Sequence, residues 1–167
     1  MKKVLGLLLA ISIGGCASPT PYEAIQDTGG MGGYYHQRLG ENTYKVIFAG
    51  NGFTEQRQAY DFALLRAAEI CHQLRYKYFV IEGQDDKTTT HIANLGSTSY
   101  TTGQITSFGS YHATTNTYGR AWPISYPCTE LAVQYYAERP SGTYLEVFEA
   151  KAILRSLSKK YELGIWN

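Results

Sequence analysis

Residues 43–83, TYKVIFAGNGFTEQRQAYDFALLRAAEICHQLRYKYFVIEG, change hydrophobic period twice, and that change decides the fold class. Over 43–50 the apolar residues alternate. Tyr44, Val46 and Phe48 fall on one face and Lys45 and Ile47 on the other, the period of a strand. Asn51-Gly52 breaks the strand. Thr54 stands where a helix N-cap is wanted, with Arg57 rather than Glu three residues on, so the capping box is incomplete. Residues 55–75 are rich in Gln, Ala, Leu, Arg and Glu, all good helix formers. Tyr60, Leu64, Ala67, Cys71 and Leu74 recur at helical spacing, with Ala63 and Ile70 widening the stripe. A second strand is read at 76–83. The stretch predicts a β-α-β unit with a helical crossover.

Working outward, residues 128–138 predict a third strand with Leu131, Val133 and Tyr135 on one face. Pro140-Ser141-Gly142 reads as a turn. Residues 146–161 predict a closing helix whose stripe is Val147, Ala150, Ile153, Leu154 and Leu157. Lys159 and Lys160 suit the negative C-terminal end of that helix. Residues 84–126 differ in kind, being dominated by Thr, Ser, Gly and Tyr. Their alternation would support an irregular hairpin, but the expectation is a long excursion with poor order. The order β-α-β, excursion, β-α predicts a small two-layer α+β domain over 43–161. Both helices would lie on one face of a three- to four-stranded sheet.

The N-terminal side predicts an address. Lys2 and Lys3 precede a short apolar stretch from Val4 to Ile13, the pattern of a secretory signal over 1–15 and too short for a transmembrane helix. Ile13-Gly14-Gly15-Cys16 resembles the bacterial lipobox. That resemblance implies cleavage before Cys16 and acylation of this residue, a covalent lipid and the one prosthetic group expected. One acyl chain binds a membrane only marginally, at about 0.8 kcal/mol per buried CH₂, whereas two or three on one residue hold it firmly. Ala17 stands where Asp would retain a lipoprotein in the inner membrane, which points to the outer membrane. Residues 16–42, with Pro19, Pro21 and a Gly cluster at 29–33, read as a flexible tether.

Net charge is +1, so nothing electrostatic favours nucleic acid as a partner. With Cys16 assigned to lipid, Cys71 and Cys128 remain as an even pair for an oxidising compartment. A disulfide between them and two buried free thiols are both open readings. The histidines His36, His72, His91 and His112 show no metal spacing, though His91 and His112 could meet across a hairpin. Cys71 and His72 are adjacent, so a helix points them about 100° apart and they make no nucleophile–base pair. Arg66 and Glu69 can pair on the helix. No nucleophile elbow, P-loop or dinucleotide fingerprint occurs. Tyr100, Tyr111, Tyr118 and Trp122 are aromatics set in a polar segment, a candidate contact surface for an envelope protein or glycan.

Thr20-Pro21-Tyr22, the strand from Asn42 to Asn51, the helix run Leu64-Leu65-Arg66-Ala67-Ala68-Glu69 and the closing FEAKAIL segment together resemble an uncharacterised family of short proteobacterial lipoproteins. The resemblance covers both ends of the domain and not its Thr-rich middle. It implies the address and fold, and it carries no activity. The expectation is therefore a non-enzymatic, lipid-anchored envelope protein, most simply on the outer membrane facing the periplasm, acting as an interaction or structural module. A metal- or redox-responsive domain using Cys71 and Cys128, or His91 and His112, is the alternative.

Overall fold

The structure, a computed structural model, describes residues 18–105 and 111–166. The signal over 1–15 and the acylation site Cys16 lie outside the described residues. The elements are β1 (Gly33–Arg38), β2 (Thr43–Ala49), α1 (Gln56–Gln73), β3 (Tyr78–Asp86), β4 (Thr89–Ile105), β5 (Tyr111–Tyr126), β6 (Cys128–Tyr136), β7 (Val147–Glu149) and α2 (Ala150–Lys160).

The domain is α+β, with a five-stranded sheet in the order β1-β2-β6-β3-β7 and every neighbouring pair antiparallel. Because β2 and β3 both oppose β6, they run parallel to each other. Parallel strands need a long crossover, which α1 supplies, and β6 fills the slot between them. The sheet exceeds the expected three or four strands because β1 and the short β7 add one to each edge.

Alternation along β6 sets the layers. Thr129, Leu131, Val133 and Tyr135 are buried, while the residues between them are half-exposed. The buried set meets Val46 and Phe48 of β2, Phe79 of β3, and both helices in one core. Each Leu, Val or Phe buried there contributes roughly 1.5–3 kcal/mol. α2 adds Ala150, Leu154 and Leu157 to the same core, so both helices lie on one face of the sheet. Val147, expected within that helix, pairs instead with Val80 as part of β7.

α1 is buried over a wider arc than the expected stripe. Phe62, Leu65 and Ala68 are inside, whereas Tyr60 is half-buried and Leu74 exposed. The helix is covered on two sides, by the sheet and by α2, which one amphipathic stripe does not describe. Its N-cap is Glu55, not Thr54, and Glu55 makes no side-chain cap bond. The helix stops at Arg75, whose φ of 62° is the left-handed conformation that ends many helices.

The flexible tether expected over 16–42 is corrected from Ser18 onward. Buried Thr20 donates its N–H to Thr54 Oγ1 at 2.9 Å and accepts from Asn51 N–H at 2.8 Å. Asn51 Nδ2 donates to the Ser18 carbonyl at 2.9 Å. Tyr22 packs on Phe62 and Tyr34, and β1 pairs with β2 along six residues. The Gly cluster serves this close packing. Gly33 has φ 126°, and a Cβ there would stand 2.5 Å from the Glu23 carbonyl oxygen.

The poorly ordered excursion over 84–126 is corrected as well. Residues 84–86 finish β3, and β4 and β5 form a separate two-stranded antiparallel ribbon. Thr and Ser alternate well enough to sustain a ladder even though they give little apolar contrast between the two faces.

Candidate interaction surface

The ribbon leaves the domain where β3 ends and β6 begins, and its base is packed. Ile124 lies against Gly52, where a Cβ would come within 2.4 Å of Ile124 Cγ2. The His91 ring meets Tyr126 edge-on at 5.4 Å. Thr88 N–H donates to Asp86 Oδ1 at 2.9 Å, and the Thr88 hydroxyl, set between Asp86 Oδ1 and Gln56 Oε1, gives its one proton to either, closing the other side of the base. Those bonds to Thr88, side chain first and then backbone, hold the Asp86 carboxyl below its ordinary value.

Beyond the base the described side chains of the ribbon are exposed. Trp122 and Tyr118 are 65% and 68% exposed, and they lie four residues apart on β5, hence on one face. Ile92, which sequence reasoning passed over, is 68% exposed near the base of β4. Thr101 and Thr115 pair through their hydroxyls at 2.9 Å, as Thr90 and Ser125 do at 3.2 Å. Tyr100 and Tyr111 take ladder positions opposite Asn116 and Ile105. The structure thus puts all four predicted contact residues on one element.

It does not bring His91 and His112 together. His91 is opposite Ile124 and His112 opposite Gln104, about a dozen rungs or roughly 40 Å apart along the ribbon. Among the described residues no three His, Cys, Asp or Glu side chains are placed to hold a metal ion.

Cys71 and Cys128 are both free, so of the two open readings the structure has the free thiols. Cys71 is on the core side of α1, 3.5 Å from the Tyr78 carbonyl oxygen. Cys128 precedes buried Thr129, so alternation turns it to the opposite face, and the sheet stands between the two sulfurs. Burial pushes the Cys71 thiol up to about 12 and raises Cys128 as well. Neither thiol is activated as a nucleophile.

A second polar cluster is internal. Arg66 Nη1 contacts Glu69 Oε2 at 2.7 Å, and the guanidinium lies 4.5 Å from the Tyr34 ring centroid. Burial, then the charge of Glu69, raise the Tyr22 phenol far above its ordinary value. Among the described residues, Tyr22 Oη, Arg66 Nε and Tyr135 Oη are buried without hydrogen-bond partners. Only the Arg66–Glu69 pair was legible in the sequence, from its helical spacing. The aromatic roof comes from β1 and residues 18–25.

On the open face of the sheet Glu130 bridges Lys45 at 2.7 Å and Lys87 at 2.6 Å. At the C-terminal end Trp166 sits edge-on to His72 at 4.8 Å and borders a groove of about 220 Å³ with Lys151 and Arg155. No helix among the described residues is long and apolar enough to cross a membrane.

No family model, curated protein or solved structure matches the chain.

Proposed function

We propose that this is an exported lipoprotein acylated at Cys16, held at the cell envelope and acting as a non-enzymatic interaction module whose contact element is the β4–β5 ribbon. The observation that carries the reading is the ribbon itself. None of its described residues belongs to the domain core, yet it presents Trp122, Tyr118 and Ile92 to solvent on an antiparallel ladder with one register shift. Exposed Trp and Tyr supply large contact area at low conformational cost. The lipobox-like Ile13-Gly14-Gly15-Cys16 and the signal pattern before it support the anchor, and Ala17 supports the outer membrane.

Two measurements test the reading. Intact mass of the protein from its native membrane should match an acylated chain beginning at Cys16, and an unprocessed or unacylated mass removes the anchor. Crosslinking in whole envelopes should give products that disappear when Tyr118 and Trp122 are both replaced by Ser. Products unchanged by that replacement remove the ribbon as the contact element.

A further inference from the structure

Ser18 is bonded into the domain. Its carbonyl accepts from Asn51 Nδ2 at 2.9 Å, and Thr20 bonds both Thr54 and Asn51. Cys16 stands two residues earlier in the chain. A chain spans at most about 3.6 Å per residue, so Cys16 lies within roughly 7 Å of Ser18 whatever path it takes. Acyl groups on Cys16 therefore bring a bilayer surface to the turn from Asn51 to Thr54.

Exposed apolar side chains gather at that turn from three separate segments. Phe53 lies within it and is 59% exposed. Met31, 80% exposed, precedes Gly32, where a Cβ would stand 3.0 Å from Thr20 Cγ2. Gly52 seats the ribbon through Ile124 and Tyr126. Exposed Trp122 shares their face of β5, two residues beyond Ile124. The ribbon brings no negative charge to repel anionic headgroups, since residues 87–129 hold no Asp or Glu. Rings with an apolar body and a polar tip, Trp and Tyr above all, favour the headgroup level of a bilayer.

We infer that Met31, Phe53, Trp122 and Tyr126 form a collar that rests in the headgroup layer of the bilayer carrying the anchor. The partner of the ribbon's base is then a lipid surface. With the domain already held there, the effective concentration is high, and a few side chains suffice to fix its orientation. α1 starts beside the collar. His72, on which Trp166 packs, is sixteen residues beyond Gln56, about 24 Å along the helix. A domain standing on the collar holds Trp166 out of the lipid. The inference rests on acylation at Cys16 and on the ribbon as the contact element.

The test uses the full chain extracted from its native membrane, with intact mass first establishing the acyl group. The chain is reconstituted in vesicles of phosphatidylethanolamine with a minority of phosphatidylglycerol, with and without bromine on the acyl chains near the headgroup. In Trp166→Phe the remaining tryptophan emission is that of Trp122, and bromine should cut it by about half. In Trp122→Phe the emission is that of Trp166, and it should fall by less than about a tenth. Adding Met31→Ser and Phe53→Ser to Trp166→Phe should relieve about half of the quenching, with the circular dichroism spectrum unchanged. An acylated chain whose Trp122 is quenched no more than its Trp166 overturns the inference and leaves the anchor standing. A Trp122 untouched by lipid in vesicles but shielded from acrylamide in native envelopes also overturns it, and gives the ribbon a protein partner. A chain without an acyl group overturns the anchor, and the inference with it.

Discussion

Arg66 and Glu69 are one turn apart on α1 and form an ion pair at 2.7 Å, with side chains only 13% and 11% exposed. The pair lies beneath β1, with the Tyr34 ring over the guanidinium and the Tyr22 phenol close to the carboxylate. Removing one partner leaves an uncompensated charge in a largely dry site. Glu69→Gln or Arg66→Met alone should destabilise the domain by about 3 kcal/mol, read from urea unfolding. The double variant Arg66→Met with Glu69→Leu should recover most of that loss. Single variants with unchanged midpoints would mean that the pair is solvated.

The thiols give a prediction about mass. With Cys71 and Cys128 on opposite sides of the sheet, reduction should leave the intact mass unchanged. Cys71 should resist thiol reagents until denaturant is added, because burial holds it neutral. A gain of two hydrogens on reduction would reverse this and reopen a redox role.

Alkaline pH should weaken the fold. The Cys71 thiol is raised from 9.0 to about 12 by burial, and the Tyr22 and Tyr135 phenols are raised as well. Each group therefore adds stability that is fully present below its unfolded value and fades as pH climbs toward its folded one. The urea midpoint should fall steadily as pH rises above about 9, and Cys71→Ala should shallow that slope. On the acid side, hydrogen bonds from Lys45 and then Lys87 hold Glu130 below 4.5. Its contribution is present above that value and disappears as pH drops through the folded one. A midpoint flat through the alkaline range would contradict the burial of these groups.

The ribbon should be separable from the fold. Replacing residues 90–125 by a short Gly-Ser linker removes none of the described core residues. The unfolding free energy should change by less than about 1 kcal/mol, a surface-type effect. Loss of cooperative unfolding would show that the sheet depends on the ribbon.

Gly52 and Ile124 should be energetically coupled. Gly52→Ala forces a Cβ against the branched Ile124 side chain and should cost about 1–2 kcal/mol. In Ile124→Ala the same substitution should cost much less. Purely additive effects in that double-mutant cycle would place the two residues out of contact.

Much of this was legible in residues. β2, α1, β3 and β6 follow from Tyr44-Val46-Phe48, from the helical run around Leu64, and from Leu131-Val133-Tyr135, because each buries a contrasting face. β1 was not legible. Its outer residues, His36, Gln37 and Arg38, are polar on an edge strand with little to bury. The ribbon failed for a related reason, since its sequence is dominated by Thr, Ser, Gly and Tyr, and alternation with so few aliphatics resembles disorder. Cys128 shows how much one position matters: a residue earlier or later and it would face the core. The contact residues Tyr118 and Trp122 were visible as aromatics in a polar stretch, but the element presenting them was not.

The bonds joining Ser18, Thr20, Asn51 and Thr54 have a mechanical meaning. A pull delivered at Ser18 passes straight into these bonds. It loads Asn51 and Thr54 directly, one and two residues from Gly52, on which the ribbon is seated. The point where force enters the domain and the hinge line of the ribbon are the same few residues. Tension at one end would therefore be felt first at the base of the other.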